Sequence, residues 1–246
     1  MPSTLDAHSE PGNALRARVV LVTGGSRGIG RAIALTLSRM GALVAICGRQ
    51  QPALGSTLEE LERAGGRAYA HQADVGKAKE VESLVSATEA ELGPISVLVN
   101  NAGVGIFGPI HEQSEQDWDA VHSTNLKSVF LVSRAVIPGM IRRNSGDIVN
   151  ISSLAGRNAF PGGGIYCASK WGLQGLTACM AEDLRQFNIR VSAVLPGSVA
   201  TAFGPHVKDA EKALAPRDVA HAVAMLLTQG PQSFISEVQL RPLRKA

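Results

Sequence analysis

Two side chains have the residue types and the spacing of a proton-transfer pair. Tyr166 and Lys170 are four residues apart, so on a helix they share one face. A free tyrosine has a pKa near about 10, too high for ready proton exchange at neutral pH. A lysine cation within about 4–6 Å favours the phenolate and lowers that pKa. The pair therefore predicts a general acid–base site with Tyr166 as the proton-transferring group.

A hydroxyl group for the same site is available where an apolar run ends. Ser153 follows the run that begins at Asp147. Its hydroxyl can hydrogen-bond a substrate oxygen as charge develops there. Ser152 is the adjacent alternative. Because side chains alternate along a strand, only one of these two neighbours can point toward the site.

A glycine-rich turn joins an apolar run to a helical segment. It reads Thr23-Gly-Gly-Ser-Arg-Gly-Ile-Gly30. Glycines let the backbone turn sharply and approach a pyrophosphate closely, and a helix N-terminus supplies free N–H groups. The spacing differs from the GxGxxG fingerprint, but the strand–turn–helix context is the one that the fingerprint requires. We interpret the turn as a phosphate-binding loop, and the alternative is an ordinary glycine-rich connector.

Strand-like and helical segments alternate along the chain. The strand-like runs are rich in Val, Ile and Leu without polar alternation, which is typical of strands buried on both faces of a parallel sheet. Strands are predicted at Val19–Thr23, Leu43–Cys47, Arg67–Gln72, Val97–Asn100, Asp147–Ser152, Arg190–Leu195 and Ser233–Leu240. Helices are predicted near 28–40, 52–64, 77–92, 114–143, 164–187 and 216–228.

This order predicts an α/β fold, a single doubly wound Rossmann-type parallel sheet of about seven strands with helices on both faces. Residues 1–16 are expected to form a mobile tail, and residues 17–246 a single domain, a size that α/β folds reach as one unit. Such sheets bind ligands at the carboxyl ends of their strands. We therefore expect the candidate residues to lie where strands end.

Further motifs follow the later strands. They are Asn100-Asn-Ala-Gly103, Asn125 before Leu-Lys, Ser153, and Tyr166-Cys-Ala-Ser-Lys170. With the glycine turn, in this order, they resemble the short-chain dehydrogenase/reductase family from about Arg18 to Leu240. Within it, the chain looks most like the 3-oxoacyl-[acyl-carrier-protein] reductase group. The resemblance implies an oxidoreductase that transfers a hydride to or from a carbonyl carbon.

The resemblance also assigns roles to single residues. It implies the catalytic set Asn125, Ser153, Tyr166 and Lys170. It favours Ser153 over Ser152, because 13 positions separate Ser153 from Tyr166, as in the family pattern. Lys170 would also hold the nicotinamide ribose, and Asn125 would fix a water molecule in a proton relay.

The implied cofactor is the nicotinamide dinucleotide NADP(H), bound along the strand ends. Asp74 would accept a hydrogen bond from the adenine amino group, and its alternative is a helix N-cap before Lys77. The Val199 backbone and the Thr201 hydroxyl would meet the carboxamide, and the alternative there is a simple Pro-Gly turn. The residues expected to bind the cofactor are Thr23, Gly24, Ser26, Arg27, Gly28, Ile29, Gly30, Arg49, Asp74, Val75, Asn101, Ala102, Gly103, Tyr166, Lys170, Pro196, Gly197, Val199 and Thr201.

The end of the second strand predicts NADPH rather than NADH. Enzymes that prefer NADH place an Asp or Glu there, about 20 residues past the glycines, for the ribose 2′-hydroxyl. Here no acidic residue occurs between Gly30 and Glu59. Arg49 can bind a 2′-phosphate through a bidentate contact, and Arg27 can approach it from the glycine turn. The alternative is that both arginines are solvated surface residues.

Composition argues against several other classes. The net charge is +3, with no long basic run, so nucleic-acid binding is not expected. Three cysteines are too few, and odd in number, for a disulfide framework, and they lack metal-ligand spacing, so no metal is expected. No stretch approaches about 18 uncharged apolar residues, and the polar N-terminal segment lacks a signal-like apolar core. We expect a cytoplasmic protein without a membrane partner.

The expected partners are a small-molecule carbonyl or alcohol substrate, a thioester-linked one included, and further copies of the chain. The helices near 114–143 and 164–187 are apolar beyond one core stripe. The residues concerned are Val129, Leu131, Val132, Trp171, Leu173 and Leu176. By resemblance, these helices pair into homo-oligomers, dimers or tetramers. The functional alternative is a non-catalytic dinucleotide-binding sensor or scaffold on the same fold, which would be expected to lack Tyr166 or Lys170.

The segment after Pro196 is short for a lid over the site. Phe203 and the three residues 204–206 are expected to form much of it. A lid of this size argues against a long acyl-carrier substrate and favours a more open site.

Overall fold

Seven parallel strands form one sheet in the order β3-β2-β1-β4-β5-β6-β7. The structure is a computed structural model that describes residues 14–203 and 210–244. The strands are β1 (Val19–Thr23), β2 (Leu43–Gly48), β3 (Ala68–Gln72), β4 (Ile95–Asn100), β5 (Gly146–Ile151), β6 (Ile189–Pro196) and β7 (Glu237–Leu240). The strand order reverses between β1 and β4, which makes a ligand-binding crevice at their carboxyl ends. The predicted fold class is confirmed.

The helices cover both faces of the sheet. They are α1 (Gly28–Arg39), α2 (Gln51–Arg63), α3 (Ala78–Leu92), α4 (Glu115–His122), α5 (Ser128–Arg143), α6 (Gly164–Leu184) and α7 (Pro216–Leu227). One core contains residues of α1, α2 and α7, and the other contains residues of α3, α5 and α6. In β1, Val20 and Val22 belong to the first core, and Val19 and Leu21 to the second. Successive side chains point to opposite faces, which explains a strand without polar alternation.

The predicted helix near 114–143 is not one α-helix. Ser114 begins α4 with a capping box that includes Asp117. A π-helical turn at Ser123–Lys127, which contains Asn125, then separates α4 from α5. Such single π turns occur often at functional sites. The interruption gives Asn125 a position that a regular helix would not.

Two other boundaries differ from the prediction. Residues 1–13 of the predicted tail lie outside the described residues, but Leu15 is fully buried, and its amide donates to the Met40 carbonyl. The last strand begins at Glu237, four residues later than predicted. Across the described ranges, no helix combines the length and apolar character that crossing a membrane requires.

A buried polar chain connects the central strands to α6. The side-chain amide of Asn100 on β4 donates to the side-chain oxygen of Asn150 on β5 at 2.9 Å, and the side-chain amide of Asn150 donates to the Thr177 hydroxyl on α6 at 2.9 Å. Both asparagines are almost fully buried. Hydrogen bonds of this kind have a defined geometry, unlike apolar contacts. These hydrogen bonds therefore fix α6 relative to the strand ends.

Candidate active site

Tyr166 lies in the first turns of α6, with 8% of its surface exposed. The Ser153 hydroxyl, which follows β5, hydrogen-bonds the Tyr166 phenol. The Ser152 hydroxyl is buried and has no partner among the described residues. Burial raises the pKa of Tyr166 to about 12, and the hydrogen bond from Ser153 acts in the opposite direction. The expected lowering of this pKa is wrong for this structure, because desolvation of the phenolate dominates.

Lys170 lies one helical turn beyond Tyr166 and is 4% exposed. Its Nζ donates to the Ile151 carbonyl oxygen at 2.9 Å and lies 5.9 Å from the centre of the Tyr166 ring. Burial lowers the pKa of Lys170 to about 8. At pH 7 the ammonium is therefore mostly charged, and its charge is close to the phenol.

Asn125 connects the π turn to two neighbouring segments. Its amide donates to the Val104 carbonyl at 2.9 Å and to the Ser169 hydroxyl at 3.1 Å, and its oxygen accepts from the Val104 amide at 2.8 Å. Ser169 donates in turn to the Tyr166 carbonyl at 2.7 Å. Asn125 thus holds the helix that carries Tyr166. Sequence reasoning did not single out Ser169, although it lies inside the Tyr166–Lys170 motif.

The glycine turn packs too closely against its surroundings to accept side chains. A Cβ on Gly30 would lie 2.3 Å from the Gly24 carbonyl oxygen, and Gly24 has a φ of +65°. Asn101 donates from its side-chain amide to the carbonyls of Thr23 and Gly24, at 2.9 and 3.1 Å. The Thr23 hydroxyl accepts from the Asn101 and Ala102 amides, at 3.0 and 3.1 Å. These hydrogen bonds join the ends of β1 and β4. Gly28, later in the turn, has a φ of +54°, in the left-handed region that favours glycine.

The N-terminus of α1 is open to an anion. Arg27 occupies the N-cap position, where no side chain caps the helix, and the first turn holds no acidic residue. The free N–H groups and the helix dipole favour negative charge there. Ile29 lies in this turn, and the Ser26 hydroxyl lies close to Gly48 at the end of β2. These are the features of a phosphate-binding loop.

Arg49 and Arg27 are both exposed; Arg49 directly follows β2, and Arg27 directly precedes α1. Within residues 14–203 and 210–244, neither makes a salt bridge. The neighbouring Arg31, by contrast, forms an ion pair with Glu60. Two unpaired guanidinium groups are thus available near the loop.

Asp74 does not cap α3, because Lys77 occupies the N-cap position. Its carboxylate accepts from the Gly76 amide at 3.0 Å, and its own amide donates to Glu80 at 2.7 Å. The N-cap alternative is therefore wrong. Val75 is buried beside it, with 6% of its surface exposed. The turn presents Asp74 near the ends of β2 and β3, since the Ala73 amide donates to the Gly48 carbonyl.

The segment after β6 is more than a turn. Gly197 donates to the Leu240 carbonyl at 2.8 Å, next to Pro196 at the strand end. Val199 forms an isolated parallel bridge with Leu214, in which the Ser198 carbonyl and the Ala200 amide bind Leu214. The amide and carbonyl of Val199 then face away from Leu214. Thr201 lies beside Gly28, with its Cγ2 atom 3.5 Å from where a Cβ would stand.

An ion pair beside the segments that carry Ser153 and Tyr166 was missed by the sequence analysis. Glu237 on β7 accepts from Arg157 and from Gln174, both at 2.7 Å. Arg157 follows the short helical turn after Ser153, and Gln174 lies on α6 one turn beyond Lys170. Glu237 therefore connects these two segments. No sequence signal marks it, because the three residues are far apart in the chain.

One expectation falls partly outside the described residues. Of the predicted lid segment, Phe203 is described, whereas residues 204–206 lie outside the described residues. Gly103 lies against Asn125, since a Cβ there would stand 3.3 Å from the Asn125 side-chain oxygen. The other described candidate residues follow the carboxyl ends of strands, or lie on the π turn, α1 and α6.

Comparison with known proteins agrees with this geometry. The family model described as short chain dehydrogenase matches residues 18–212. A 3-oxoacyl-[acyl-carrier-protein] reductase of Synechocystis sp. is 37% identical over 233 residues, 91% of this chain and 94% of that protein. Glycine betaine reductase ATRR of Emericella nidulans is 35% identical over 243 residues, 94% of this chain but only 19% of its own length.

A solved structure, a metagenomic short-chain oxidoreductase in complex with NADP, has a TM-score of 0.85 to this chain at 45% identity. The match covers 94% of this chain and 100% of that one. The chain therefore belongs to the short-chain dehydrogenase family, as its motifs predict.

Proposed function

We propose that the chain is an NADP(H)-dependent oxidoreductase that interconverts a ketone, or a 3-oxoacyl carbonyl, and the corresponding alcohol. The observation that carries this proposal is the cluster of Ser153, Tyr166 and Lys170 at the carboxyl edge of the sheet, beside the glycine turn. The similarity to a protein named 3-oxoacyl-[acyl-carrier-protein] reductase supports the carbonyl substrate class.

The described residues fit the cofactor. The close packing at Gly24 and Gly30 leaves main chain, rather than side chains, beside the uncapped N-terminus of α1. The unpaired Arg27 and Arg49 suit a 2′-phosphate, and the outward-facing Val199 backbone suits a carboxamide. The NADP complex of the similar metagenomic oxidoreductase supports the same cofactor.

Carbonyl reduction needs a hydride at carbon and a proton at oxygen. NADPH supplies the hydride when it is bound. Tyr166 donates the proton from its hydroxyl, which a pKa of about 12 keeps fully protonated at neutral pH. Ser153 donates a hydrogen bond to the same substrate oxygen as charge develops. In the reverse direction Tyr166 takes the proton back.

Lys170 stabilises the phenolate that remains after proton transfer. Its ammonium is buried with the phenol, and at low local dielectric a nearby opposite charge has a large effect. Burial keeps the pKa of the Tyr166 phenol high. Once the proton has moved to the substrate, the Lys170 charge offsets part of the cost of desolvating the phenolate. Asn125 supports the arrangement through Val104 and Ser169, and a proton relay through Asn125 is part of this proposal.

We also propose that the chain assembles through the surface formed by α4, the π turn, α5 and α6. Phe130 and Trp171 are 46% and 54% exposed on it. Phe130 lines a groove together with Leu126 and Leu176. The residues predicted for this contact are partly wrong. Val129, Leu131, Val132 and Leu173 face the interior and are buried. Exposed aromatic side chains of this size are typical of protein–protein contacts.

An NADPH-oxidation assay tests the function. The wild type is offered 3-oxoacyl thioesters, quinones, ketosugars and small diketones, and Tyr166→Phe is assayed beside it. The variant is expected to lose at least about 10²-fold in rate, because positioned acid–base groups contribute about 10²–10⁴-fold. Its NADPH affinity, measured by fluorescence titration, should stay near the wild-type value.

Two outcomes contradict the proposal. A Tyr166→Phe rate above about a tenth of wild type would show that another group transfers the proton. NADPH binding without oxidation by any carbonyl would favour the non-catalytic sensor or scaffold.

A further inference from the structure

Two phenylalanine rings pack against Tyr166, and a third packs against one of them. The Phe107 ring centre lies 5.3 Å from that of Tyr166 at 64°, and the Phe203 ring lies 6.0 Å away at 62°. The Phe160 ring lies 5.9 Å from Phe107. The chain contains only six phenylalanines in all, and three of them belong to this cluster. They come from three separate segments, after β4, before α6 and after β6.

Glycines make room for these rings. A Cβ on Gly105 would lie 2.7 Å from the Phe107 ring and 2.9 Å from the Phe203 ring. A Cβ on Gly163 would lie 2.7 Å from the Phe160 ring. Any larger residue at either position would displace a ring. The local main chain is thus shaped to let the rings pack directly on it, beside the catalytic hydroxyl.

The outer rings are not core residues. Phe160 and Phe203 are 42% and 44% exposed, whereas Tyr166 beneath them is 8% exposed. Exposed apolar rings that converge on one buried polar group are typical of a ligand pocket. Ile165, which precedes Tyr166 on α6, is buried and does not belong to this surface.

We propose, on the basis of the function proposed above, that Phe107, Phe160 and Phe203 form an aromatic substrate wall for a neutral ketone that carries an aromatic ring beside its carbonyl group. Edge-to-face ring pairs contribute beyond the apolar area that they bury. A substrate ring beside the carbonyl group can form further edge-to-face pairs with the rings at Tyr166. An alkyl chain in the same place would bury apolar area but form no ring pair.

Charge separates this substrate class from another ligand of aromatic cages. Quaternary ammonium groups also bind among aromatic rings. Here, however, the Lys170 ammonium lies 5.9 Å from the Tyr166 ring and is buried with it. A second cation in this position would be repelled. The wall therefore favours an uncharged aromatic ketone over a cationic aldehyde.

Matched substrates test the proposal. Acetophenone and cyclohexyl methyl ketone have nearly the same size and differ in aromaticity. The ratio of kcat/KM for acetophenone to that for cyclohexyl methyl ketone is measured with NADPH for the wild type, Phe107→Leu and Phe203→Leu. The control is Phe187→Leu, a partly buried phenylalanine in the short turn after α6. Each wall variant is expected to lower the ratio by about two- to tenfold, the range of one aromatic pair. Phe187→Leu should leave it unchanged. Comparing ratios cancels the different intrinsic reactivity of the two ketones.

Two further substrates are the acetoacetyl thioester of N-acetylcysteamine and a trimethylammonium-substituted aldehyde. Preference for either over both ketones, or an unchanged ratio in both wall variants, would overturn the aromatic wall while the oxidoreductase function stands. Failure to oxidise NADPH with any of the four substrates would instead contradict the function. In that case, saturation-transfer NMR of acetophenone with the NADP⁺ complex decides about the wall. Loss of the acetophenone ring signals in Phe203→Leu but not in Phe187→Leu supports it, and equal signals in all proteins reject it.

Discussion

The Lys170 ammonium donates a hydrogen bond to the Ile151 carbonyl oxygen at 2.9 Å, at the end of β5. This contact ties the charged group of α6 to the strand that precedes Ser153. It also holds a cation in a site where burial lowers the pKa of Lys170 to about 8. Burial therefore disfavours the charged form of Lys170, although that form predominates at pH 7.

That conflict predicts a particular pH dependence of stability. The pKa of Lys170 is about 8 in the folded chain against its ordinary value of 10.5, so the unfolded chain binds more protons between these values. Stability should rise with pH across this window, by about 3 kcal/mol in total at about 1.4 kcal/mol per pKa unit. Urea unfolding from pH 7 to 10 of the wild type and Lys170→Met measures it.

The quantity to follow is the difference in the free energy of unfolding between these two proteins. All other titrating groups are shared and largely cancel. The difference should move in favour of the wild type as pH rises above about 8. Parallel stability curves for the two proteins would show that Lys170 titrates alike in the folded and unfolded chains.

The glycine turn predicts a pair of alanine variants with opposite effects. Gly30→Ala would place a Cβ 2.3 Å from the Gly24 carbonyl oxygen, so it should lower stability by about 1–3 kcal/mol and weaken NADPH binding. Gly55→Ala, inside α2, meets nothing within 4 Å and should stabilise the chain by up to about 1 kcal/mol. Thermal unfolding and NADPH titration of both variants check this. If Gly30→Ala changed neither stability nor NADPH affinity, the main chain of the turn would have room for a Cβ at this position, contrary to the close packing described above.

The assembly surface predicts a charge-sensitive oligomer. Phe130→Glu places a carboxylate on the groove between α5 and α6, where desolvation in a contact is costly. The substitution should leave the helix intact, because Arg134 is four residues further on and can pair with it. Sedimentation at micromolar concentration should show a dimer or tetramer for the wild type and a monomer for the variant. Ser56→Glu, on the exposed face of α2, is the control, and a wild-type monomer would refute the assembly.

The elements that the sequence predicted well are those with local signals. The run Val19–Thr23 is buried throughout, so its lack of polar alternation already indicated a two-sided strand. The glycine turn was recognisable because strand, turn and helix are contiguous. The carboxyl-edge placement of Ser153 and Tyr166 followed from the general rule for such sheets.

The features that the sequence did not predict depend on contacts between distant segments. The π turn at Ser123–Lys127 coincides with bonds from Asn125 to Val104 and Ser169, which no periodicity reveals. The high pKa of Tyr166 arises from burial. Two of the rings packed against it, Phe107 and Phe203, lie 59 residues before it and 37 after it in the chain. The spacing of Tyr166 and Lys170 alone could suggest only a lowered pKa for Tyr166.

Cofactor choice gives the last prediction. Arg49 is exposed after β2, makes no salt bridge within the described ranges, and no acidic residue stands between Gly30 and Glu59. A charged hydrogen bond contributes about 1.5–3 kcal/mol, so Arg49→Ala should weaken NADPH binding about ten- to hundredfold. NADH lacks the 2′-phosphate and should bind the variant almost as it binds the wild type. Arg63→Ala, an exposed arginine paired with Glu59 on α2, is the matched control and should change neither affinity. Equal wild-type kcat/KM for the two cofactors, or equal losses for both in Arg49→Ala, would show that Arg49 does not recognise the phosphate.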